Sequence, residues 1–234
     1  MRSLLVAWAL CALLIGVAHA QQAPSDEAVE RNNRAAALLK QGKLEEAVEE
    51  LRQAVEMAPA YAVAHTNLAY AYDRQGRLDE AIAAYRKVVE LEPGNAIARN
   101  NLATLLSRTG RFAEAILEFE ALLQRDPANA TARSNLENAR RNQGIVQERD
   151  DQTTRVLKAA EARPSDPRAA YDVARFYAQQ GDSDKALAWL GKSLELGYDR
   201  VDFVNVDPSF GLLRKDPRFE KVLEEWRARA GQPR

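Results

Sequence analysis

The sequence predicts an all-α protein, an α-solenoid of stacked helical hairpins, and three observations carry that prediction. The stretches GKLEEAVEELRQAVEMAPAY, GRLDEAIAAYRKVVELEPGN and GRFAEAILEFEALLQRDPAN begin at Gly42, Gly76 and Gly110, each 34 residues after the last. Other positions keep the same step: Pro59, Pro93 and Pro127; Ala47, Ala81 and Ala115; Leu51, Tyr85 and Phe119. A fixed period of this size marks units that bury their apolar faces only by stacking on one another. After each glycine, apolar residues recur at helical spacing, as in Ala81, Tyr85 and Val88 or Ala115, Phe119 and Leu122.

The elements follow in order. Residues 1–20, MRSLLVAWALCALLIGVAHA, carry one early positive charge, Arg2, then an apolar run from Leu4 to Val17 and small residues at Ala18 and Ala20. This is the pattern of a secretory signal peptide cut after Ala20. The run is short for a membrane span, which needs about 20 residues; an uncleaved N-terminal membrane anchor is the alternative. Cys11, the only cysteine, lies inside the run behind the bulky Leu10, a poor lipid-attachment context. The cut chain is expected to lack cysteine, which excludes disulfides, thiol catalysis and cysteine metal sites. Residues 21–27 read as a short linker, with Ser25, Asp26 and Glu27 opening a helix. Residues 28–129 hold three hairpins. A first helix such as AVAHTNLAYAYDRQ, with Leu68, Ala69 and Tyr72 on one side, leads to a glycine turn; a second helix follows and proline ends it.

The glycine, alanine, large apolar and proline positions, in phase over three copies, resemble the tetratricopeptide repeat (TPR) family. The resemblance implies antiparallel helix pairs in a right-handed superhelix with a concave face. The phase then slips: Gly144 is 34 residues past Gly110, but QERDDQTTRVLKAAEARPSDP follows, polar where the alanine belongs. Residues 130–166 are therefore expected to form a degenerate pair, or a capping helix and a long connecting helix. The pattern returns over 167–199, with Gly181, Ala186, Leu190 and Leu194 in the repeat's roles. Residues 200–234 look like the segment that closes many bacterial TPR arrays. Asp207-Pro208 and Asp216-Pro217 read as N-caps with first-turn prolines, and Phe219, Val222, Leu223 and Trp226 form a stripe to cover the last pair.

Subtracting the scaffold leaves Asn33, Asn67, Asn101 and Asn135, again 34 apart. Each carboxamide offers a donor pair and an acceptor, matching a backbone peptide unit. In the family's geometry they lie on the first helices, toward the groove. A similar asparagine ladder in the TPR domain of the O-linked N-acetylglucosamine transferase holds extended peptide by its main chain. Asp172 breaks the ladder in the last repeat. Four such hydrogen bonds supply roughly 2–6 kcal/mol at about 0.5–1.5 each, whereas association costs about 4–15 kcal/mol. Side-chain pockets must supply the rest. The candidates on the same helices are Tyr70, Arg74, Thr104, Arg108 and Arg141, with the arginines able to hold carboxylates; helix-end arginines also suit the macrodipole with no ligand at all. The carboxylate clamp of chaperone-adaptor TPR domains is not expected, because Ile97 and Ala36 stand where it uses lysine and asparagine.

Other chemistry finds little support. The net charge of −1 gives no bulk grip on nucleic acid. His65 is the only histidine after the leader and reads as a packing residue. Glu148, Asp150 and Asp151 lack the glycine and oxygen spacing of a calcium loop. No phosphate loop or serine nucleophile motif occurs. The expectation is a non-enzymatic protein with no metal and no cofactor. It is a periplasmic or secreted scaffold that binds a peptide or partner protein in its groove, for envelope assembly or secretion. The rival expectation is a structural subunit of an envelope complex that docks through its outer surface.

Overall fold

A computed structural model of the chain describes residues 23–230; the leader, Cys11 and the cut after Ala20 lie outside them. Among the described residues there are eleven α-helices, two short 3₁₀ turns and no strand. They divide into two compact units, the boundary falling between Gln143 and Gly144.

The first unit contains α1 (Asp26–Lys40), α2 (Leu44–Met57), α3 (Ala62–Arg74), α4 (Leu78–Leu91), α5 (Ala96–Arg108), α6 (Phe112–Arg125) and the start of α7 (Ala130–Glu161). Each helix from α1 to α5 packs on the next, and α1 also packs on α3. The repeat positions explain why. Ala35, Ala69 and Ala103 on the first helices, and Ala47, Ala81 and Ala115 on the second, are fully buried. A methyl group there lets the backbones approach, and Leu51, Tyr85 and Phe119 fill the space alongside. Each such large side chain contributes about 1.5–3 kcal/mol by its burial.

The turns repeat atom for atom. Gly42, Gly76 and Gly110 have φ of 75°, 74° and 76°, and a Cβ there would meet nothing within 4 Å. Backbone handedness, not space, demands glycine. The following residue's N–H reaches back over the helix end: Lys43 to the Leu38 carbonyl, Arg77 to that of Tyr72 and Arg111 to that of Leu106, at 3.0, 2.9 and 2.8 Å. These are Schellman closures that satisfy the last carbonyls. A second periodic feature ties each second helix to the next hairpin. The carbonyls of Pro59, Pro93 and Pro127 accept hydrogen bonds from His65 Nε2, Arg99 Nη2 and Arg133 Nη2, at 3.0, 3.2 and 2.6 Å.

Gly144 does not make a turn: α7 runs through it as one helix of 32 residues. Ala132, Leu136 and Ala139 of α7 belong to the first unit's core, while Val156, Leu157 and Ala160 pack in the second.

The second unit pairs α8 (Pro167–Gln179) with α9 (Ser183–Glu195) around Gly181, whose φ is 77°. The chain then forms α10 (Val201–Val206), 3₁₀ turns at Pro208–Phe210 and Leu213–Lys215, and α11 (Pro217–Ala230). The apolar stripe of α11 covers the pair: Phe219 and Leu223 are buried, and Val222 and Trp226 pack on the same core. Tyr198, Tyr171, Phe210 and Phe219 form an aromatic run with successive ring centroids 4.2, 5.7 and 5.9 Å apart.

At its centre is Asp207, 1% exposed. Its carboxylate caps the first 3₁₀ turn at Ser209 N–H (2.9 Å) and accepts from Tyr171 Oη (2.8 Å). Arg175 Nε also reaches it at 3.1 Å. Burial alone raises a carboxyl pKa, but these donors outweigh it and hold Asp207 below its ordinary value. Burial, with the Asp207 charge beside it, pushes the Tyr171 phenol far above its usual range.

Candidate functional site

The first helices carry the candidate residues at helical spacing. On α3 these are Asn67, Tyr70 and Arg74; on α5, Asn101, Thr104 and Arg108; steps of three and four keep each set on one face. The structure brings the α5 face together with α7. Thr104 and Arg108 of α5 and Asn135 of α7 line one cavity of about 240 Å³, with Ser107, Asn138 and Asn142 beside them. The Ser107 hydroxyl oxygen is shielded from solvent and has no hydrogen-bond partner among the described residues.

The amide series is half-buried at Asn67, Asn101 and Asn135, but Asn33 is exposed. The bonded amide on α1 is its neighbour Asn32, 4% exposed. Asn32 Oδ1 accepts from Asn67 Nδ2 at 2.8 Å, and Asn32 Nδ2 donates to Tyr61 Oη at 3.4 Å. Asn101 Nδ2 donates to Tyr85 Oη at 3.2 Å. Burial lifts the Tyr85 phenol above its ordinary pKa and the Asn101 bond draws it part of the way back, so it stays a neutral hydroxyl. A carboxamide has two N–H groups and a carbonyl. Asn67 and Asn101 each spend one N–H internally and keep one donor and one acceptor.

The charged candidates differ from one another. Arg108 Nη1 bonds Asp73 Oδ1 at 2.6 Å across α5 and α3. Arg74 donates to Tyr70 Oη at 2.8 Å, its guanidinium 5.8 Å from the Tyr70 ring centre, with no carboxylate partner among the described residues. Thr104 Oγ1 bonds its own helix at Asn100 O, 2.8 Å. Arg141 is exposed, and the cavity wall takes Asn138 and Asn142 in its place. Asn142, not Arg141, holds the 34-residue register with Arg74 and Arg108. Sequence reasoning missed Asn32, Tyr61 and Tyr85 as partners of the amides; only Tyr85 lies on a periodic position.

A larger cavity of about 560 Å³ in the second unit is lined by Arg175, Gln179, Asp207, Ser209 and Leu212. Its polar groups are already engaged with each other: Gln179 and Arg175 both donate to Ser209 Oγ, and Arg175 to Asp207. Among the described residues no group of three or more His, Cys, Asp or Glu is placed to hold a metal ion. None of the described helices is long and apolar enough to cross a membrane.

Repeating hairpins with a shared, amide-lined face define an α-solenoid repeat protein. A tetratricopeptide repeat profile matches residues 32–96, 68–130, 100–148 and 154–197, and the chain belongs to the tetratricopeptide repeat family. No curated protein matches it. Solved structures similar to it include MamA from Desulfovibrio magneticus RS-1, 21% identical with a TM-score of 0.49, over 74% of this chain and 97% of that one. YrrB, described as a TPR protein with an unusual peptide-binding site, is 22% identical with a TM-score of 0.46, over 74% and 87%. The second TPR domain of human RPAP3, in complex with an HSP70 peptide, is 25% identical with a TM-score of 0.47, over 50% and 98%.

Proposed function

We propose that this protein is an exported interaction scaffold that holds an extended peptide segment, free or presented by a partner protein, along the face of its first helices. The observation that carries the reading is the cavity between α5 and α7, where Thr104, Arg108 and Asn135 converge. Asn135, from the 34-residue series, meets two residues that flank that series on α5, around the Ser107 hydroxyl, which has no hydrogen-bond partner among the described residues. The amides give an extended main chain its donors and acceptors, and the arginines suit acidic side chains. Fold alone does not assign this task; the leader pattern and the array-closing tail support a place in bacterial envelope assembly or secretion.

Photocrosslinking in cells tests the reading. A benzophenone side chain at Thr104 or Tyr70 is expected to capture protein, and one at the exposed Leu117 of the second helix α6 is not. Capture at Leu117 alone overturns it. Export is checked by fractionation and N-terminal sequencing, with a mature end at Gln21 as the expected result.

A further inference from the structure

α7 is held at its two ends. Ala132, Leu136 and Ala139 sit in the first unit's core, and Arg140 Nη2 ties the helix to Glu120 of α6 at 2.6 Å. The second core takes hold at Val156, Leu157 and Ala160. Residues 141–155 lie between, about 22 Å of helix at 1.5 Å per residue. Among the described residues they contribute no side chain to either core. Val146 and Thr153 are half-buried there and the others are exposed. The division between the two units falls inside this stretch.

A helix of this length is marginal in water even when built from good helix formers, and these residues are poor ones. Gly144 has the most backbone freedom to lose on ordering. Ile145, Val146, Thr153 and Thr154 are β-branched, and the preceding turn restricts their side chains. Glu148 and Asp151 are like charges one turn apart. The side chains bond along the helix itself: Gln147 to Asp151 at 2.9 Å, and Thr153 to the Arg149 carbonyl at 2.8 Å. A threonine that bonds back four residues weakens its helix slightly. Opening the stretch exposes little buried apolar surface, so the burial that stabilises the rest of the chain does not oppose it.

We propose that the middle of α7 is a helical link that melts and reforms while both cores stay folded, uncoupling the hairpins of the first unit from the capped hairpin of the second. The ends of α7 belong to their cores; the stretch between them opens by itself, and each unit unfolds in its own transition.

Hydrogen–deuterium exchange on the full chain, read by mass spectrometry, tests this. Peptides covering 142–154 are expected to exchange at least about tenfold faster than those covering 132–139 of the same helix. Gly144→Ala, a better helix former, should slow exchange over 142–154 about two- to fivefold and leave α1 to α6 unchanged. Phe219→Ala, which empties a site in the second core, should speed exchange across α8, α9 and α11. It should leave α1 to α6 at their native rates whether or not the second unit still folds. Equal protection of 142–154 and 132–139 overturns the proposal, as does an unchanged rate in Gly144→Ala. So does a Phe219→Ala variant whose exchange rises as much in α1 to α6 as in α8 and α9, because the units would then open together.

Discussion

Asp207 shows how one side chain can organise a segment with little regular structure. Its carboxylate ties α8 to the first 3₁₀ turn, and its backbone carbonyl accepts from Arg214. Asp207→Ala leaves Tyr171 and Arg175 facing an empty position, and should destabilise the second unit by about 3–5 kcal/mol in urea unfolding. The sign of its pH dependence follows from a folded pKa held below the unfolded one. Its stabilisation is complete above about pH 4 and falls away as pH drops through the lower folded value. The stability difference between native protein and Asp207→Asn should shrink in that acid range. His65 behaves differently. Burial lowers its pKa, partly offset by the Pro59 carbonyl, so folding favours neutral imidazole and stability declines as pH falls below about 6.5. Arginine fills the equivalent place at Arg99 and Arg133. His65→Arg should keep the carbonyl bond and remove this contribution from the pH slope between neutral and pH 5.

Two glycines 68 residues apart should respond oppositely to alanine, because they sit in different elements. Gly76→Ala places a side chain at φ 74° and should cost about 1–2 kcal/mol. Gly144→Ala replaces glycine inside α7, where an added Cβ meets nothing within 4 Å, and should stabilise by about 0.5–1 kcal/mol. Denaturant melts of the two variants check both signs. The contrast also shows what sequence spacing reveals about elements. The hairpins formed by α1 to α6 were legible because a turn glycine, small interface alanines and a terminating proline all agreed. Gly144 shared only the spacing. The residues after it offer no stripe for a returning helix, Ile145 being 59% exposed, so breaking α7 would gain no burial. In the tail, the stripe on α11 was legible from helical spacing. Phe219→Ala, emptying a site 2% exposed, should cost about 3–5 kcal/mol, read as early melting of the aromatic signal.

For the molecule as a whole, the repeat made the placement of candidate residues legible but not their bonding. Asn67, Asn101 and Asn135 followed from arithmetic on the sequence. Asn32 did not, because it lies one residue off the register and its equivalents are Thr66 and Asn100. The His65, Arg99 and Arg133 series stayed hidden because its residue types differ and its acceptors are backbone carbonyls, which leave no trace in sequence. An asparagine-to-alanine double variant at 67 and 101 should weaken a groove peptide about tenfold or more, at about 0.5–1.5 kcal/mol for each lost hydrogen bond, with melting changed less than by Phe219→Ala. The identical turns and equal steps also make the array editable. Excising residues 62–95 would splice Tyr61 directly onto Ala96, bringing α5 to the position α3 vacates. Asn101 would then stand across from Asn32 where Asn67 stood, and the shortened protein would close the same contact with one fewer rung in its amide row.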